Sequence, residues 1–380
     1  MNVVKLTEKL ISMPSFVNRK TDEKEIGRFI YGYLKQFKWL DVTKQPVING
    51  RFNIIAKDKH PTRLLICGHI DTVQPTVNWK TNPISPVIKK DKIYGLGASD
   101  MKSGLAMMMS VLSKFKKTKS LMMLFYTDEE YDFTGMKDFL RQYKQKINPR
   151  IVVSLDGSEL ELQNACRGLI EINFKVQGKA GHAAKPLSGC NAINALTESV
   201  NKLNSWLSNK DQIKNLSSTC NLAYIRGGQN QGLKNNLLLL GKQGNIIPDY
   251  CEGIIDIRPA DNKIGASLII DFIKKSIKSS GCRLIEYRIR HNLRGWFTEK
   301  KSLNQIEKII RKNNLKVKYK NANNSGYIDV QMINETFNCS CCVFGAGEEK
   351  MAHKPNEFVQ IKKLKKAEKI LSEIIFQLAT

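Results

Sequence analysis

Short, continuously apolar runs alternate with helical stretches along most of this chain, and this alternation limits the possible folds more than any other feature. Four runs predict buried strands, at residues 64–67, 121–126, 151–155 and 341–344. Helical spacing of apolar residues marks residues 21–37, 101–115, 136–143 and 361–378. Because strands that are apolar on both faces need cover on both sides, the pattern predicts an α/β fold with a mostly parallel sheet between helices.

The middle of the chain has a different pattern. Polar and apolar residues alternate over residues 171–176, a second strand pattern covers 253–257, and helical patterns cover 191–207 and 262–279. This combination is typical of an antiparallel sheet with helices on one face. Since 380 residues exceed the usual size of one domain, we expect a domain of residues 1–168 and 288–380 that carries an inserted α+β domain of residues 169–287.

The formal charge of +26, from 61 basic and 35 acidic residues, is the strongest compositional signal. Clustered basic residues would suggest nucleic-acid binding, because they neutralise phosphates. Here they are mostly lysines spread along the chain, without an arginine-rich arm, an aromatic platform or zinc-finger spacing. The spread favours a solvated basic surface that attracts anionic small molecules. A non-catalytic, polyanion-binding protein is the remote alternative.

Neither a membrane segment nor a disulfide framework is expected. No apolar run approaches the ~18 residues of a membrane span, and residues 1–16 have the spacing of an amphipathic helix rather than of a signal sequence. We therefore expect a cytoplasmic protein. The nine cysteines follow no disulfide spacing, and the cluster Cys339, Cys341 and Cys342 adjoins an apolar run, which favours core packing over metal binding.

Residues able to bind metals follow each of the four predicted strands. His69 follows residues 64–67, Glu129 and Glu130 follow 121–126, Asp156 follows 151–155, and His353 lies in the loop after 341–344. The carboxyl ends of parallel strands meet at one edge of a sheet, which is where ligand sites form. We expect these side chains to lie close together.

Histidine and carboxylate donors without thiolates suit zinc or a similar divalent metal. Asp100, at the start of the predicted helix 101–115, could bridge two ions and interact with the helix dipole. The charges of two divalent cations would balance the negative charges of Asp100, Glu130, Asp156 and one hydroxide. This charge balance favours two metals over one. Taken singly, each residue has an ordinary explanation: a turn or helix cap for the aspartates, a core histidine for His69, a solvated pair for Glu129 and Glu130. The ordered combination favours a site.

Five segments together resemble a known family: residues 68–73 (GHIDTV), 95–104 (GLGASDMKSG), 127–130 (TDEE), 178–186 (GKAGHAAKP) and 352–357 (AHKPNE). They are similar to the two-zinc aminoacylase and exopeptidase family, which includes acetylornithine deacetylase, succinyl-diaminopimelate desuccinylase, acetyl-lysine deacetylase and bacterial glutamate carboxypeptidase. The resemblance spans nearly the whole chain. It implies a zinc-exopeptidase-like fold, an inserted dimerisation or lid domain, and therefore a homodimer.

The resemblance also implies roles for individual residues. His69 and Asp156 would bind one zinc ion, Glu130 and His353 the other, and Asp100 would bridge them; cobalt and manganese fit the same donors. Asp71 would orient His69. The peptide bond between Asp100 and Met101 is expected to be cis.

The remaining implied roles concern the substrate. Glu129 would act as general base and then as general acid, and His182 would reach the partner subunit's site to support the oxyanion. Arg167, Asn245 and Arg258 would contact the substrate, with the arginines clamping a carboxylate. An ion pair of Arg258 with Asp256 is the alternative for that residue.

The expected activity is hydrolysis of an amide bond next to an amino-acid carboxylate, in amino-acid metabolism. The leading substrate is an N-acetyl or N-succinyl amino or diamino acid. A di- or tripeptidase or carboxypeptidase of the same family is the alternative, because residues 155–157 read Leu-Asp-Gly where deacetylases and desuccinylases usually have Glu followed by Pro. Residues 131–135 also depart from the family pattern, so we expect the loop after Glu130 to differ in shape from that of the family.

Overall fold

The computed structural model describes residues 1–18, 20–210 and 216–380. The chain divides into two compact units: unit 1 comprises Met1–Ala165 and Trp296–Thr380, and unit 2 comprises Cys166–Gly295. The sequence pattern placed the inserted domain over residues 169–287. The difference at the carboxyl end arises because the last strand of unit 2 runs on to Leu293.

The elements up to residue 166 are α1 (Val3–Ile11), α2 (Lys24–Leu34), β1 (Asp41–Pro46), β2 (Phe52–Lys57), β3 (Leu64–His69), β4 (Val87–Lys89), β5 (Lys92–Tyr94), α3 (Lys102–Val111), β6 (Leu121–Tyr126), α4 (Thr134–Tyr143), β7 (Ile151–Ser154) and β8 (Ala165–Cys166). Unit 2 continues with β9 (Leu169–Gln177), α5 (Ala192–Lys210), β10 (Thr219–Lys234), β11 (Leu237–Gly241), β12 (Tyr250–Arg258), α6 (Ala266–Ser279) and β13 (Arg283–Leu293). The chain ends with β14 (Trp296–Phe297), α7 (Asn304–Lys312), α8 (Val330–Phe337), β15 (Ser340–Val343), β16 (Phe358–Gln360) and α9 (Ile361–Ala379).

Unit 1 is built on a six-stranded sheet in the order β1-β2-β6-β3-β7-β15. The pairs β6/β3, β3/β7 and β7/β15 are parallel, and β1 and β2 add an antiparallel edge. The predicted α/β fold with a mainly parallel sheet is therefore confirmed. A small separate sheet, β16-β5-β4, lies beside it in the same unit.

Helices cover both faces of the large sheet because its central strands are apolar throughout. All six residues of β3 are buried, and Leu64 and Ile66 share one core cluster with buried side chains of α1, α3 and α9. On the other face α4 contacts β2, and α8 contacts β15 and α4. Parallel central strands between two helical layers leave the carboxyl edge of the sheet as the natural place for a site.

Unit 2 is a five-stranded antiparallel sheet in the order β11-β10-β12-β9-β13. Alternate residues of β9, including Ile170, Ile172 and Phe174, form a core with α5 and α6. This α+β architecture agrees with the sequence pattern. The sequence did not reveal β10, β11 or β13, because most residues of β10 and β13 are exposed and their ladders contain bulges, so apolar alternation is lost.

Membrane-spanning helices and disulfide bonds were both unexpected from the sequence. Among the residues that the structure describes, no helix has the length and apolarity that crossing a membrane requires. The nine cysteines are all free thiols, and Cys339, Cys341 and Cys342 are buried. Their burial agrees with the predicted packing role.

Candidate active site

His69 is the last residue of β3 and lies almost fully buried. Its Nε2 atom is 3.1 Å from Oδ1 of Asp100. Its Nδ1 atom faces Asp71, at 3.2 Å from the carbonyl oxygen and 3.4 Å from the carboxylate. Two acceptors at Nδ1 favour the Nδ1–H tautomer, which leaves the lone pair of Nε2 available to a metal ion.

Asp100 lies at the end of a loop that leads into α3, and the Asp100–Met101 peptide bond is cis, as expected. The helix can start there because Gly104 allows it to approach the end of β7: a Cβ atom at position 104 would lie 2.6 Å from the carbonyl oxygen of Leu155. The absence of a side chain thus brings the Asp100 loop next to the segment that carries Asp156.

Glu129 and Glu130 lie in a turn after β6, and this turn is held through backbone atoms. The Asp71 carboxylate accepts hydrogen bonds from the backbone nitrogens of Glu129, at 3.2 Å, and Glu130, at 2.9 Å. On the other side, Asp128 accepts hydrogen bonds from the backbone nitrogen and the hydroxyl of Thr134. Hydrogen bonds from both sides therefore hold the turn in place.

A buried ion-pair network supports the same turn. Nη1 of Arg51 lies 3.0 Å from Glu23 and 2.9 Å from Asp128, and all three side chains are nearly inaccessible. The hydroxyl of Thr127 donates a hydrogen bond to Glu23. Arg51 thus connects α2 and β2 to the residue that precedes Glu129.

Asp156 and His353 complete the cluster. Asp156 follows β7, and its backbone nitrogen donates to the hydroxyl of Ser154. His353 is half-exposed in the loop between β15 and β16. Its Nε2 atom lies 3.0 Å from Oε1 of Glu130 and 3.3 Å from Oδ2 of Asp100.

Among the described residues, three overlapping groups could hold a metal ion, each with its ligand atoms within 4.8 Å of one another: His69, Asp100 and Asp156; Asp100, Glu130 and His353; His69, Glu129 and Glu130. The structure thus brings together all five predicted metal ligands and Glu129. His69, Asp100 and Glu130 each belong to two of the groups, and Asp100 is the one that joins the group with Asp156 to the group with His353, as expected of a bridging carboxylate. None of the nine cysteines belongs to any group.

The charges of the cluster fit a pair of divalent cations. Burial, with added repulsion from neighbouring carboxylates, raises the pKa of Asp156 and Glu129 well above the ordinary carboxyl range and also raises that of Glu130. Hydrogen bonds to Asp100 and Glu130 raise the pKa of His353 to about 10. So many carboxylates in one buried place need positive charge, and histidine with carboxylate is a donor set that zinc and related ions accept.

Comparison with known proteins identifies the family. Residues 65–377 match Peptidase family M20/M25/M40. The chain belongs to this family. Acetylornithine deacetylase of Proteus mirabilis is 25% identical over 98% of this chain and 95% of the relative. Succinyl-diaminopimelate desuccinylase of Nautilia profundicola is 35% identical over 53% of this chain and 56% of the relative.

A solved structure supports the fold assignment. A tripeptidase from Staphylococcus aureus superposes with a TM-score of 0.78 at 22% identity, covering 99% of this chain and 98% of that chain. This M20 chain is therefore an enzyme of the metallo-amidohydrolase class with the fold of its family. The candidate site described above lies within the matched residues.

In unit 2 of this M20 enzyme, His182 is exposed in the loop between β9 and α5. Its Nδ1 atom accepts a hydrogen bond from the backbone nitrogen of Ala184. A neutral ring with Nδ1 as acceptor carries its proton on Nε2, so the free edge of the ring is a donor. The neighbouring Ala183 donates to the carbonyl oxygen of Asn245, which brings these two predicted substrate residues close together.

The two predicted arginines of unit 2 already have protein partners. Nη1 of Arg167 donates to the carbonyl oxygen of Ser217 and the hydroxyl of Thr219. Arg258 makes a two-pronged ion pair with Asp256, at 2.7 and 3.0 Å. The structure thus contains the ion pair that was the alternative for Arg258. A substrate contact there would have to use Nη1 or the second N–H group of Nη2.

Two buried carboxylates of unit 1 were not found as site residues from the sequence. Asp329 is fully buried at the start of α8, and its charge acts on Glu129 and His69; burial raises the pKa of Asp329 to about 7. Glu357 lies beneath the loop that carries Asp100. From the sequence, Asp329 looks like a helix cap, although its side chain makes no capping hydrogen bond. Glu357 lies in segment 352–357, which carries part of the family resemblance, but the sequence does not indicate which groups its side chain contacts.

Proposed function

We propose that this enzyme hydrolyses an amide bond adjacent to an amino-acid carboxylate, and that its substrate is an N-acetyl or N-succinyl amino or diamino acid. The reaction would belong to cytoplasmic amino-acid metabolism. The curated relatives that match along the chain include deacetylases and a desuccinylase, which supports acyl amino acids as the leading class.

One observation carries the proposal: Asp100 is shared by two potential metal groups, and Glu129 lies beside them without being needed by either. The groups are His69, Asp100 and Asp156, and Asp100, Glu130 and His353. Of the six residues in the three potential metal groups, these five ligands leave only the buried Glu129. A carboxylate with a raised pKa beside a metal pair is suited to proton transfer.

In this mechanism, two bound divalent cations would supply Lewis-acid polarisation of the amide carbonyl and a lowered pKa for a water molecule. Glu129 accepts a proton from the attacking water at a carboxylate oxygen. It then returns that proton to the amide nitrogen, because an amine leaves poorly as an anion. Asp71 keeps Glu129 in place through the backbone hydrogen bond at 3.2 Å.

Unit 2 would supply recognition of the substrate. We assign the Nε2–H group of His182 to the oxyanion in the partner subunit's site, which makes the enzyme a homodimer. Asn245, beside the His182 loop, and the arginines Arg167 and Arg258 would contact the acyl and carboxylate groups. The substrate carboxylate would also benefit from the positive charge of the chain, +26 overall.

A peptidase activity is the second candidate, and a specific observation favours it. A Cβ atom at Gly157 would lie 2.4 Å from the backbone of Phe344 and Gly345, so the chain after Asp156 runs against the end of β15 with no space for a side chain. This close approach requires glycine where deacetylases and desuccinylases usually have proline. The tripeptidase of Staphylococcus aureus with the same fold points in the same direction.

The test is a metal count followed by a substrate panel. Protein purified without chelators is analysed for divalent ions, stripped, and titrated with zinc, cobalt or manganese while amine release is measured from N-acetylornithine, N-succinyl-diaminopimelate, dipeptides and tripeptides. The proposal expects about two ions per chain and turnover of the acyl amino acids. Turnover of peptides alone would establish the second candidate, and active protein without divalent ions would refute both.

A further inference from the structure

The side chain of Glu357 is buried under the loop of residues 95–100, here called the Asp100 loop. Its Oε2 atom accepts a hydrogen bond from the backbone nitrogen of Gly97 at 2.9 Å. Its Oε1 atom accepts two more, from the backbone nitrogens of Ser99 at 2.7 Å and Asp100 at 3.0 Å. Only 1% of the residue is exposed. One carboxylate thus accepts hydrogen bonds from three backbone N–H groups of a loop that ends in Asp100, the shared metal ligand.

Backbone carbonyl groups of Glu357 and its neighbour Phe358 also accept hydrogen bonds from the same loop. The carbonyl oxygen of Glu357 accepts a hydrogen bond from the nitrogen of Gly95 at 3.0 Å. The hydroxyl of Ser99 donates to the carbonyl oxygen of Phe358 at 2.6 Å. Strand β16 then pairs with β5, with Phe358 opposite Tyr94. The loop is therefore enclosed between its own preceding strand and the segment that follows His353.

This arrangement joins two ligands that are far apart in the chain. Asp100 and Glu357 are separated by 257 positions, and His353 lies in the same segment as Glu357. The Nε2 atom of His353 is 3.3 Å from Oδ2 of Asp100. A displacement of the Asp100 loop relative to this segment would change that distance directly.

The geometry requires a carboxylate rather than an amide. Both oxygens of Glu357 accept, and all three donors are backbone N–H groups, which is the geometry of an ionised carboxylate. Burial and the charge of Asp100 raise the pKa of Glu357 to about 8, and the three backbone N–H groups oppose this rise. In a glutamine only one terminal atom is an acceptor, and the NH2 group would face a backbone N–H group in a buried place. At least one backbone donor of the Asp100 loop would then lack an acceptor.

We propose that Glu357 is a positioning residue. It holds the Asp100 carboxylate next to His353 and thereby controls how tightly the metal ion of the Asp100, Glu130 and His353 group is bound. The proposal rests on the proposed metal-dependent function. It assigns no contact between Glu357 and the substrate or the metal ions.

The chain provides a matched control in Asp58. This aspartate is also buried, and it accepts hydrogen bonds from the backbone nitrogens of Leu121 at 2.7 Å and His60 at 2.9 Å and from the hydroxyl of Thr118 at 2.6 Å. It lies at the amino end of β6, the opposite end of that strand from Glu129. Asp58→Asn therefore removes a similar buried carboxylate without touching the site.

The decisive measurement is zinc affinity by competition with a chelator for wild type, Glu357→Gln and Asp58→Asn. We expect Glu357→Gln to reduce the affinity for the more weakly held zinc ion by about 10- to 100-fold. Its kcat should be reduced at limiting zinc and largely restored at saturating zinc, and its KM should be unchanged. Asp58→Asn should lower thermal stability but bind both ions as wild type does. Equal zinc affinity in wild type and Glu357→Gln would overturn the proposal.

Amide hydrogen exchange of the metal-free protein tests the loop independently of metal. Exchange at Gly97, Ser99 and Asp100 should be faster in Glu357→Gln and unchanged in Asp58→Asn. Unchanged exchange in Glu357→Gln would overturn the positioning role even if the proposed function holds. Wild type that binds no divalent ion would instead refute the proposed function. If Glu357→Gln does not fold, Glu357→Asp replaces it in both measurements, with the same expectations. This variant keeps the carboxylate, but its side chain is one methylene shorter and cannot reach the Asp100 loop as closely.

Discussion

The carboxylate of Asp71 accepts a hydrogen bond from the backbone nitrogen of Glu129, with Oδ1 at 3.2 Å. The same oxygen lies 3.4 Å from Nδ1 of His69. Asp71 therefore contacts both a proposed metal ligand and the main chain of the proposed general base. The resemblance of the sequence implied only the first of these contacts, and the second makes Asp71 a link between metal binding and proton transfer.

Replacement of Glu129 tests the proton-transfer step. We expect Glu129→Ala to bind both metal ions but to lose about 10²- to 10⁴-fold in kcat, because general acid–base catalysis contributes on this scale. The measurements are metal content of the purified variant and kcat on the best substrate of the panel. Turnover close to that of wild type would remove Glu129 from the mechanism.

Replacement of Asp71 separates its two contacts. We expect Asp71→Asn to weaken metal binding by about 10- to 100-fold through His69, and to leave kcat low even at saturating zinc, because its amide group faces a backbone donor of the Glu129 turn. Zinc titration and kcat at saturating zinc are measured together, with the exposed Asp41→Asn as control. Full recovery of kcat with zinc would show that Asp71 acts through His69 alone.

The buried network around Arg51 predicts an effect on stability. Removing the guanidinium in Arg51→Met leaves Glu23 and Asp128 buried without their cation, so we expect a loss of about 3–5 kcal/mol in the free energy of unfolding. Arg141 is the matched control, since it pairs with Asp138 at 2.9 Å on the surface, and Arg141→Met should cost no more than about 1 kcal/mol. Urea denaturation gives both values, and equal losses would contradict the argument.

Glu23 should make stability depend on pH. Burial, followed by the charge of Asp71, raises the pKa of Glu23 from 4.5 to about 7. Between these values the folded state binds a proton that the unfolded state does not, so this contribution to stability is present at low pH and is lost as the pH rises through 7. In Glu23→Gln the side chain at this position is neutral at every pH in this range.

The stability of wild type relative to Glu23→Gln should therefore decrease from about pH 4.5 to about pH 7 and stay level above that range. Urea denaturation of both proteins across this range measures the difference. A constant difference, or one that increases with pH, would contradict the raised pKa.

The parallel sheet and the residues gathered at its edge could be predicted from local sequence patterns. The run 121–126 became β6 with the predicted bounds. His69 is the last residue of β3, and Glu129, Asp156 and His353 follow β6, β7 and β15. This much could be predicted because apolar runs are local and because parallel strands must place their carboxyl ends on one edge. The helical start after Asp100 was equally local.

The contacts that hold those residues in place could be read only from the folded chain. Arg51 meets Asp128 across 77 positions and Glu357 meets Asp100 across 257, and no spacing rule connects such pairs. From the sequence, Arg258 could either pair with Asp256, two residues away, or contact the substrate. The side-chain geometry shows the ion pair. Hydrogen bonds and ion pairs depend on distances of a few ångströms between side chains, and those distances exist only once the chain has folded.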